Sequence, residues 1–434
     1  MSTTMLQPSE ASTVITVRAE NISRTPSQAE QQSSKYKILF EKAKVLYFRY
    51  WFLLGLAIAI GLAWAFPQVG KSHGSIQAQY TVKWGAVILI FLLSGLGLEV
   101  KVMVRTILRW RLHLLVQAIS FLLMPFVLYG IVRFLSAVNA DIDPVVYQGL
   151  IIALSTSTTV SSNAVMTRNA DGNDSAALLN AALGNTLGIF ISPALMTVFG
   201  NDKLLFPPGS AQGVPDYLNV LKNLGLTVLL PLVVGQIIRY IFPVQIKYLA
   251  VKLKFSIINS LALLCMVWSV FCDGVATHAF SKMSASDTVA MIGVDIFMYL
   301  FGCTACIVVG RLPWPHKLMQ EPAWLDRWRF SRKDTVAIMY CGATKTVSMG
   351  IPLINVLYAD SSVGVVGVLS LPLLMYHICQ LFIGNFQVPL LKRWVHKDKD
   401  EQDTSESIPL ESTLPQFTTR RRANEQLTES TETK

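Results

Sequence analysis

The sequence predicts an all-α polytopic membrane protein of ten transmembrane helices, and three observations carry that prediction. The chain of 434 residues is 52% hydrophobic and only 15% charged, where a soluble protein carries roughly a quarter charged residues. Its apolar residues come in blocks such as YWFLLGLAIAIGLAWAF and LHLLVQAISFLLMPFVLYGIV, and a helix needs about 20 mostly apolar residues to cross a bilayer. Ten such blocks fall near 49–67, 81–98, 112–134, 145–166, 175–199, 217–241, 254–274, 287–310, 334–357 and 363–388. The basic residues, finally, alternate from loop to loop.

That alternation sets the orientation. Lys101, Arg105, Arg109 and Arg111 follow span two; Arg239, Lys247, Lys252 and Lys254 follow span six; Arg311, Lys317, Arg327, Arg329, Arg332 and Lys333 follow span eight. Lys392, Arg393, Lys397 and Lys399 follow span ten, while the opposite loops hold only Lys71 and Lys83, Arg133, Lys203 and Lys282. Cytoplasmic loops carry the Lys/Arg excess, so both termini are expected in the cytoplasm. The same residues account for the net charge of +10, and no nucleic-acid partner is expected. The first apolar block starts at Tyr50, too far in and too long for a cleavable leader. Sequons at Asn21 and Asn173 fall on the cytoplasmic side in this topology and are expected to stay unused.

Residues 1–44 and 396–434 are rich in Ser, Thr, Glu and Gln, which predicts disordered tails. Their Ser/Thr clusters beside Arg420, Arg421 and Arg422 are candidate phosphorylation and docking sites for regulatory proteins, or a solvated tail without a role. All six cysteines lie in apolar stretches, and CTAC at 303–306 has no second ligand pair. Buried packing thiols are expected there, with no disulfide, no metal site and no cofactor.

Span four departs from the apolar pattern. Val145 to Leu154 run into Ser155, Thr156, Ser157, Thr158, Thr159, Ser161, Ser162 and Asn163, and a short segment, Ala164 to Asn169, follows. Backbone leaves the helix at membrane depth only where protein or a polar cavity satisfies it. Span nine, VAIMYCGATKTVSMGIPLINVLY, is interrupted likewise by Gly342, Thr344, Lys345, Thr346, Ser348, Gly350 and Pro352. Thr159-Val160-Ser161 echoes Thr346-Val347-Ser348, and each sits in the penultimate span of a five-span half. Because five is odd, the second half, 215–395, is inverted relative to the first, 45–200, with 201–214 as an extracellular loop between them. Interrupted spans at matching positions of inverted halves mark a transporter's substrate site.

Three segments resemble a known family: TVSSNAVMTRNADGN with AALLNAALGNTLGIFISPAL, CGATKTVSMGIPL, and FLLSGLGLEVKVM. They are similar to the bile acid:sodium symporter superfamily, and more narrowly to its solute carrier family 10 member 7 branch and fungal relatives. The resemblance covers about residues 45–395. It implies two inverted five-helix repeats, with crossed, unwound spans four and nine in a core domain and a panel domain moving against it. It also implies that Ser162 and Asn163 match ion-binding residues, with Asn180 and Asn185 as further ligands. Thr159, Ser161, Thr344, Lys345, Thr346 and Ser348 complete the candidate crossing.

One departure matters. Sodium-coupled members place a carboxylate and a glutamine in the span-nine break, where this chain offers Cys341 and Lys345, with no Asp or Glu from Ala337 to Ala359. Lysine at mid-span is costly and marks function more often than snorkelling. Its ammonium is therefore expected to stand where a sodium would sit. Asp295 is a candidate charge partner for Lys345, or else it lies near enough to a helix end to be hydrated. His377 is expected to be a hydrogen-bonded packing residue, Glu99 to sit at a helix end, and Pro125, Pro193, Pro231 and Pro372 to kink their helices.

Two functions follow. The resemblance implies a plasma-membrane protein that restrains calcium influx, with Lys345 making it independent of sodium, and the long Ser/Thr-rich tails support this view as docking sites for partners; the residues themselves argue against a calcium channel or pump, since calcium sites need several carboxylates. The alternative is a secondary carrier, sodium- or proton-coupled, for an organic solute, with half-helix N-termini and Lys345 making the crossing attractive to negative charge. An intramembrane enzyme is disfavoured: the sequence holds no HExxH, no paired catalytic aspartates and no nucleophile elbow.

Overall fold

The computed structural model describes residues 51–97, 109–206, 217–312, 329–358 and 363–406. Glu99, Asn21, Arg420 to Arg422 and nearly all of both predicted tails lie outside the described residues. The chain divides into two compact units, 1–54 and 55–434. The first is described only at 51–54; the packing reported below belongs to the second.

The described residues are helical and contain no strand. The helices are α1 (Trp51–Ala65), α2 (Ala78–Gly97), α3 (Trp110–Ala137), α4 (Pro144–Ser155), α5 (Ser161–Asn169), α6 (Asp174–Gly200) and α7 (Leu218–Ile241). There follow α8 (Pro243–Lys252), α9 (Phe255–Ala276), α10 (Ala285–Arg311), α11 (Arg332–Ala343), α12 (Val347–Leu357) and α13 (Val363–Glu406). Eight stretches, α11 and α12 together counting as one, are long and apolar enough to cross a membrane. The protein is thus a polytopic membrane protein. Of the ten expected spans, the two that fall short are α1 and α4. The described part of α1 begins at Trp51, and α4 stops because the chain unwinds after Ser155. The last helix continues to Glu406, past the tail boundary that composition places at 396.

Helix starts follow ordinary capping chemistry. Asp143 accepts from Val145 N ahead of Pro144, Asn173 accepts from Ala176 N, and Ser284 forms a reciprocal box with Asp287. Inside α2, α3 and α7 the backbone widens to π turns at Thr81–Ala86, Ile119–Leu123 and Gly225–Leu229. Pro125 and Pro231, expected as kinks, stand just beyond two of them. A proline has no N–H for the carbonyl four residues back, and a π turn is one way a helix absorbs the mismatch.

Packing places the broken segments inside. α11 and the first turns of α12 are buried almost throughout, between α10, α13, α6 and α3. By contrast α10 shows Val289, Phe297, Leu300, Val308 and Val309 on its outer side, the apolar face a lipid-contacting helix requires. Elsewhere α2 packs on α7 and α9. In the first turn of α11, Asp334 gathers both Arg109 guanidinium nitrogens (2.8 and 2.9 Å), Asn173 Nδ2 (2.7 Å) and Ser331 Oγ (2.8 Å).

Asp171, in the turn between α5 and α6, has His396 Nε2 at 2.7 Å and Lys392 Nζ at 3.1 Å, both from α13. These two groups, His396 first, hold its carboxyl below the usual carboxylate range. A depressed carboxylate stabilises the fold above its unfolded value, ~4, and the contribution is lost as pH falls through the lowered folded value. Thermal unfolding followed below pH ~4 is therefore expected to show wild type losing stability that Asp171→Asn does not have to lose. Solvent screens all three side chains, which limits the difference to less than about 1 kcal/mol.

Candidate functional site

The two helix interruptions lie against one another. After Ser155 the chain is extended at Thr156, and after Ala343 it is extended at Thr344. Thr346 N donates to Ser157 O at 2.8 Å, so the two unwound strands pair by backbone. Small polar side chains fill the remainder. Thr344 Oγ1 lies 2.8 Å from Thr158 Oγ1 and 3.0 Å from Asn163 Oδ1, and Asn163 Nδ2 donates to Thr158 Oγ1 at 2.7 Å. Thr159 donates to Asn163 Oδ1 at 3.0 Å and pairs with the Ser162 hydroxyl. Ser157 Oγ donates to Asn185 Oδ1 at 2.6 Å, bringing α6 in.

Asn163 therefore bridges both breaks: its Nδ2 donates to Thr158, and its Oδ1 accepts from Thr159 and Thr344. Replacing it by alanine leaves the Thr158, Thr159 and Thr344 hydroxyls without that partner in a buried setting. Such losses amount to about 1–3 kcal/mol each when unrelieved, and water entering the gap relieves part of this. Asn163→Ala is expected to lower the unfolding free energy by about 2–3 kcal/mol, read as an earlier thermal transition in detergent or nanodiscs. An unchanged transition would mean that the bridge contributes nothing.

Lys345 is fully buried at the same place. Its ammonium donates to Ser120 O at 2.6 Å, to Ser120 Oγ at 3.1 Å and to Thr156 O at 3.0 Å, with the Phe121 ring centroid 5.7 Å away. An ammonium has three N–H groups, and each finds an oxygen. Two of the acceptors exist because helices are interrupted: Ser120 lies in the α3 π turn and Thr156 in the first break. The backbone of Lys345 is held as well. Gln380 of α13 accepts from its N–H at 2.7 Å and donates to its carbonyl at 2.7 Å, and His377 sits 2.7 Å from Gln380 Nε2. His377 is thus the hydrogen-bonded residue expected of it.

Other candidates sit apart from this cluster. Ser161 is exposed at the start of α5, and Ser348 bonds only locally, its hydroxyl 2.8 Å from Thr346 Oγ1. Asn180 faces α3 instead: His113 Nδ1 lies 3.0 Å from its Oδ1, and Gln117 Nε2 donates to its carbonyl at 3.1 Å. Asp295 fits neither expectation. It makes no ion pair with Lys345 and is not hydrated at a helix end; it is wholly buried, and neither carboxylate oxygen has a partner. Its place midway along α10, on a face covered by other helices, explains both departures.

Sequence reading missed Ser120, Gln117, His113 and Gln380. The first three had a usable signal, since polar residues at 113, 117 and 120 fall on one face of an otherwise apolar helix. Gln380 had none that sets it apart from Asn385 and Gln387 of the same helix. Among the described residues, no group of three or more His, Cys, Asp or Glu could hold a metal ion.

The family described as SBF-like CPA transporters matches residues 50–393. Over 379 residues the chain is 34% identical to Solute carrier RCH1 of Candida albicans, an alignment covering 82% of this chain and 92% of that one. Solute carrier RCH1 of Saccharomyces cerevisiae is 35% identical over 379 residues, covering 82% and 86%. Sodium/bile acid cotransporter 7 of Rattus norvegicus is 29% identical over 350 residues, covering 80% and 93%.

Proposed function

The chain belongs to the SBF-like CPA transporter family, and we propose that it is a carrier-fold protein that works without sodium and restrains calcium influx. The observation that carries the sodium-independent part is the Lys345 ammonium, bound by three oxygens where the two breaks meet. It supplies internally the positive charge that a sodium-coupled carrier takes from solution. Calcium restraint rests on the likeness to the member 7 branch and its fungal relatives, and the site bears on it negatively: it has no carboxylates to bind calcium itself.

In this reading the ten spans form two inverted repeats, 45–200 and 215–395, with both termini in the cytoplasm and the protein in the plasma membrane. Support comes from the two breaks, 156–160 and 344–346, each followed by a short helix and each resting on the other. The tails are proposed to dock regulatory proteins.

A second reading, transport of an organic anion, has its own support. α5 and α12 both begin at the breaks, which turns two positive helix ends toward the same spot. No acid stands among the polar side chains there to neutralise Lys345.

Cytosolic calcium after an external calcium challenge tests the proposal in cells carrying wild type, Lys345→Ala or Asn163→Ala at matched surface levels. Loss of restraint in the point variants ties the regulation to the crossing. If only deletion of residues 407–434 releases calcium entry, the crossing is not the working part and the proposal fails.

A further inference from the structure

Four aspartates are buried in the described residues: Asp273, Asp287, Asp295 and Asp334. Three are fully engaged. Asp273 takes Ser72 N and Oγ and the Lys83 ammonium; Asp287 takes Asp143 N, Ser284 N and Ser284 Oγ; Asp334 takes Arg109, Asn173 and Ser331. Asp295 has no hydrogen bond to either oxygen and no exposed surface. A chain that satisfies its other buried carboxylates with such care leaves this one open, in the middle of a spanning helix, where an ionisable group is a functional marker.

We infer that Asp295 is a second ion-binding site of this protein and that its ion is a proton. A metal cation is a poor fit. A calcium site gathers about six oxygens or more, whereas neither Asp295 oxygen has a hydrogen-bond partner, and no other buried acid lies in the middle of α10 to share a cation with it. A proton needs only the carboxylate. The bare anion, dry and without a donor, has nothing to replace its hydration, so the closed conformation requires the neutral acid.

Its ionisable neighbours are few. Tyr376 and Cys379 approach from α13, and Tyr299 stands one turn along α10. Tyr147 of α4 senses Asp287, two turns earlier. From α11, Tyr340 is engaged with Gly384 O and Cys341 with Ala177 O. No cation faces Asp295 from any of these helices. Tyr376 also donates to Ala343 O at 2.6 Å, the last residue before the second break. The proton site is therefore coupled to the crossing through α13. When the helices part and water reaches Asp295 the proton leaves, and closure requires its return. This deepens the reading of a sodium-independent carrier, on which the coupling rests; the proton site itself does not depend on it.

Infrared spectroscopy of the full-length protein in nanodiscs tests occupancy. A carbonyl stretch of a neutral carboxylic acid is expected at neutral pH, lost in Asp295→Asn and displaced but retained in Asp295→Glu. No difference between wild type and Asp295→Asn would overturn the site. A second measurement follows calcium restraint in cells at two external pH values, with surface levels matched. Wild type is expected to respond to pH and Asp295→Asn to be insensitive; an equal response in both would overturn the coupling. Because the infrared readout needs no transported solute, its failure removes Asp295 alone and leaves the Lys345 proposal to its own test.

Discussion

Lys345→Met is expected to fold with near wild-type stability and to lose restraint of calcium entry completely. Methionine reproduces the length and unbranched shape of the lysine stem, so the buried slot stays filled. Ser120 O and Thr156 O lose their donor, a penalty of about 1–3 kcal/mol each before relaxation. Against this, wild type holds an ammonium away from water with no carboxylate beside it, and burying an ion carries a penalty of several kcal/mol. The two effects oppose one another, and the net change is expected to stay within about 2 kcal/mol.

Lys345→Ala differs in kind. It leaves a slot lined by the three oxygens that held the ammonium, where a hard cation can bind once water entering the slot completes its oxygen shell. Its thermal transition is expected to rise when choline is replaced by sodium, while that of wild type stays put. The idea is lost if sodium stabilises wild type equally, or if sodium-dependent uptake by purified protein survives and Lys345→Ala is no worse.

Gly235→Val is the second large effect, and it lies far from the crossing. A Cβ at Gly235 would sit 2.5 Å from Leu92 O and 3.1 Å from Gly95 Cα, both backbone atoms of α2 that cannot turn aside. The contact is fixed further by Gln236 Nε2, which donates to Gly95 O at 2.6 Å. Membrane helices gain little from apolar burial against one another and depend on close backbone approach at small residues. Valine must push α7 away from α2, breaking that hydrogen bond and the packing on both sides. A loss of about 3 kcal/mol or more is expected, seen as aggregation or loss of the folded peak on size exclusion. Gly225→Val, in the same helix but with open space around its Cβ position, is the control that should fold.

The parts of this molecule legible in its sequence are those where chemistry breaks a period. A run of hydroxyls after Leu154 and a lysine at 345 stand out against apolar neighbours, and the structure has the helix ends at Ser155 and Ala343. What single residues do was harder to see. Ser161 and Ser348 belong to the same polar runs, yet one faces outward and the other bonds only to its neighbour. The helical phase after a break depends on the angle at which the chain re-enters, which the pattern does not encode. Ser120 shows the same limit from the other side. Its carbonyl matters because a π turn frees it, and backbone geometry of that kind is hinted at only by the proline that follows. Asp295 was visible as an acid within a span, but its lack of any partner depends on what α13 and α4 bring to it, a matter of tertiary placement.

Lys345 behaves as a rivet through three elements. Its tip is fastened to α3 and to the end of α4, while both sides of its peptide are fastened to α13 by Gln380, so sliding α3 or α13 past the lysine breaks two hydrogen bonds and sliding α4 breaks one. Whatever displacement exposes the interior has to run along seams that leave these fastenings whole, which assigns the moving surfaces to the outer helices and makes the riveted set the part that travels, or stays, as one piece.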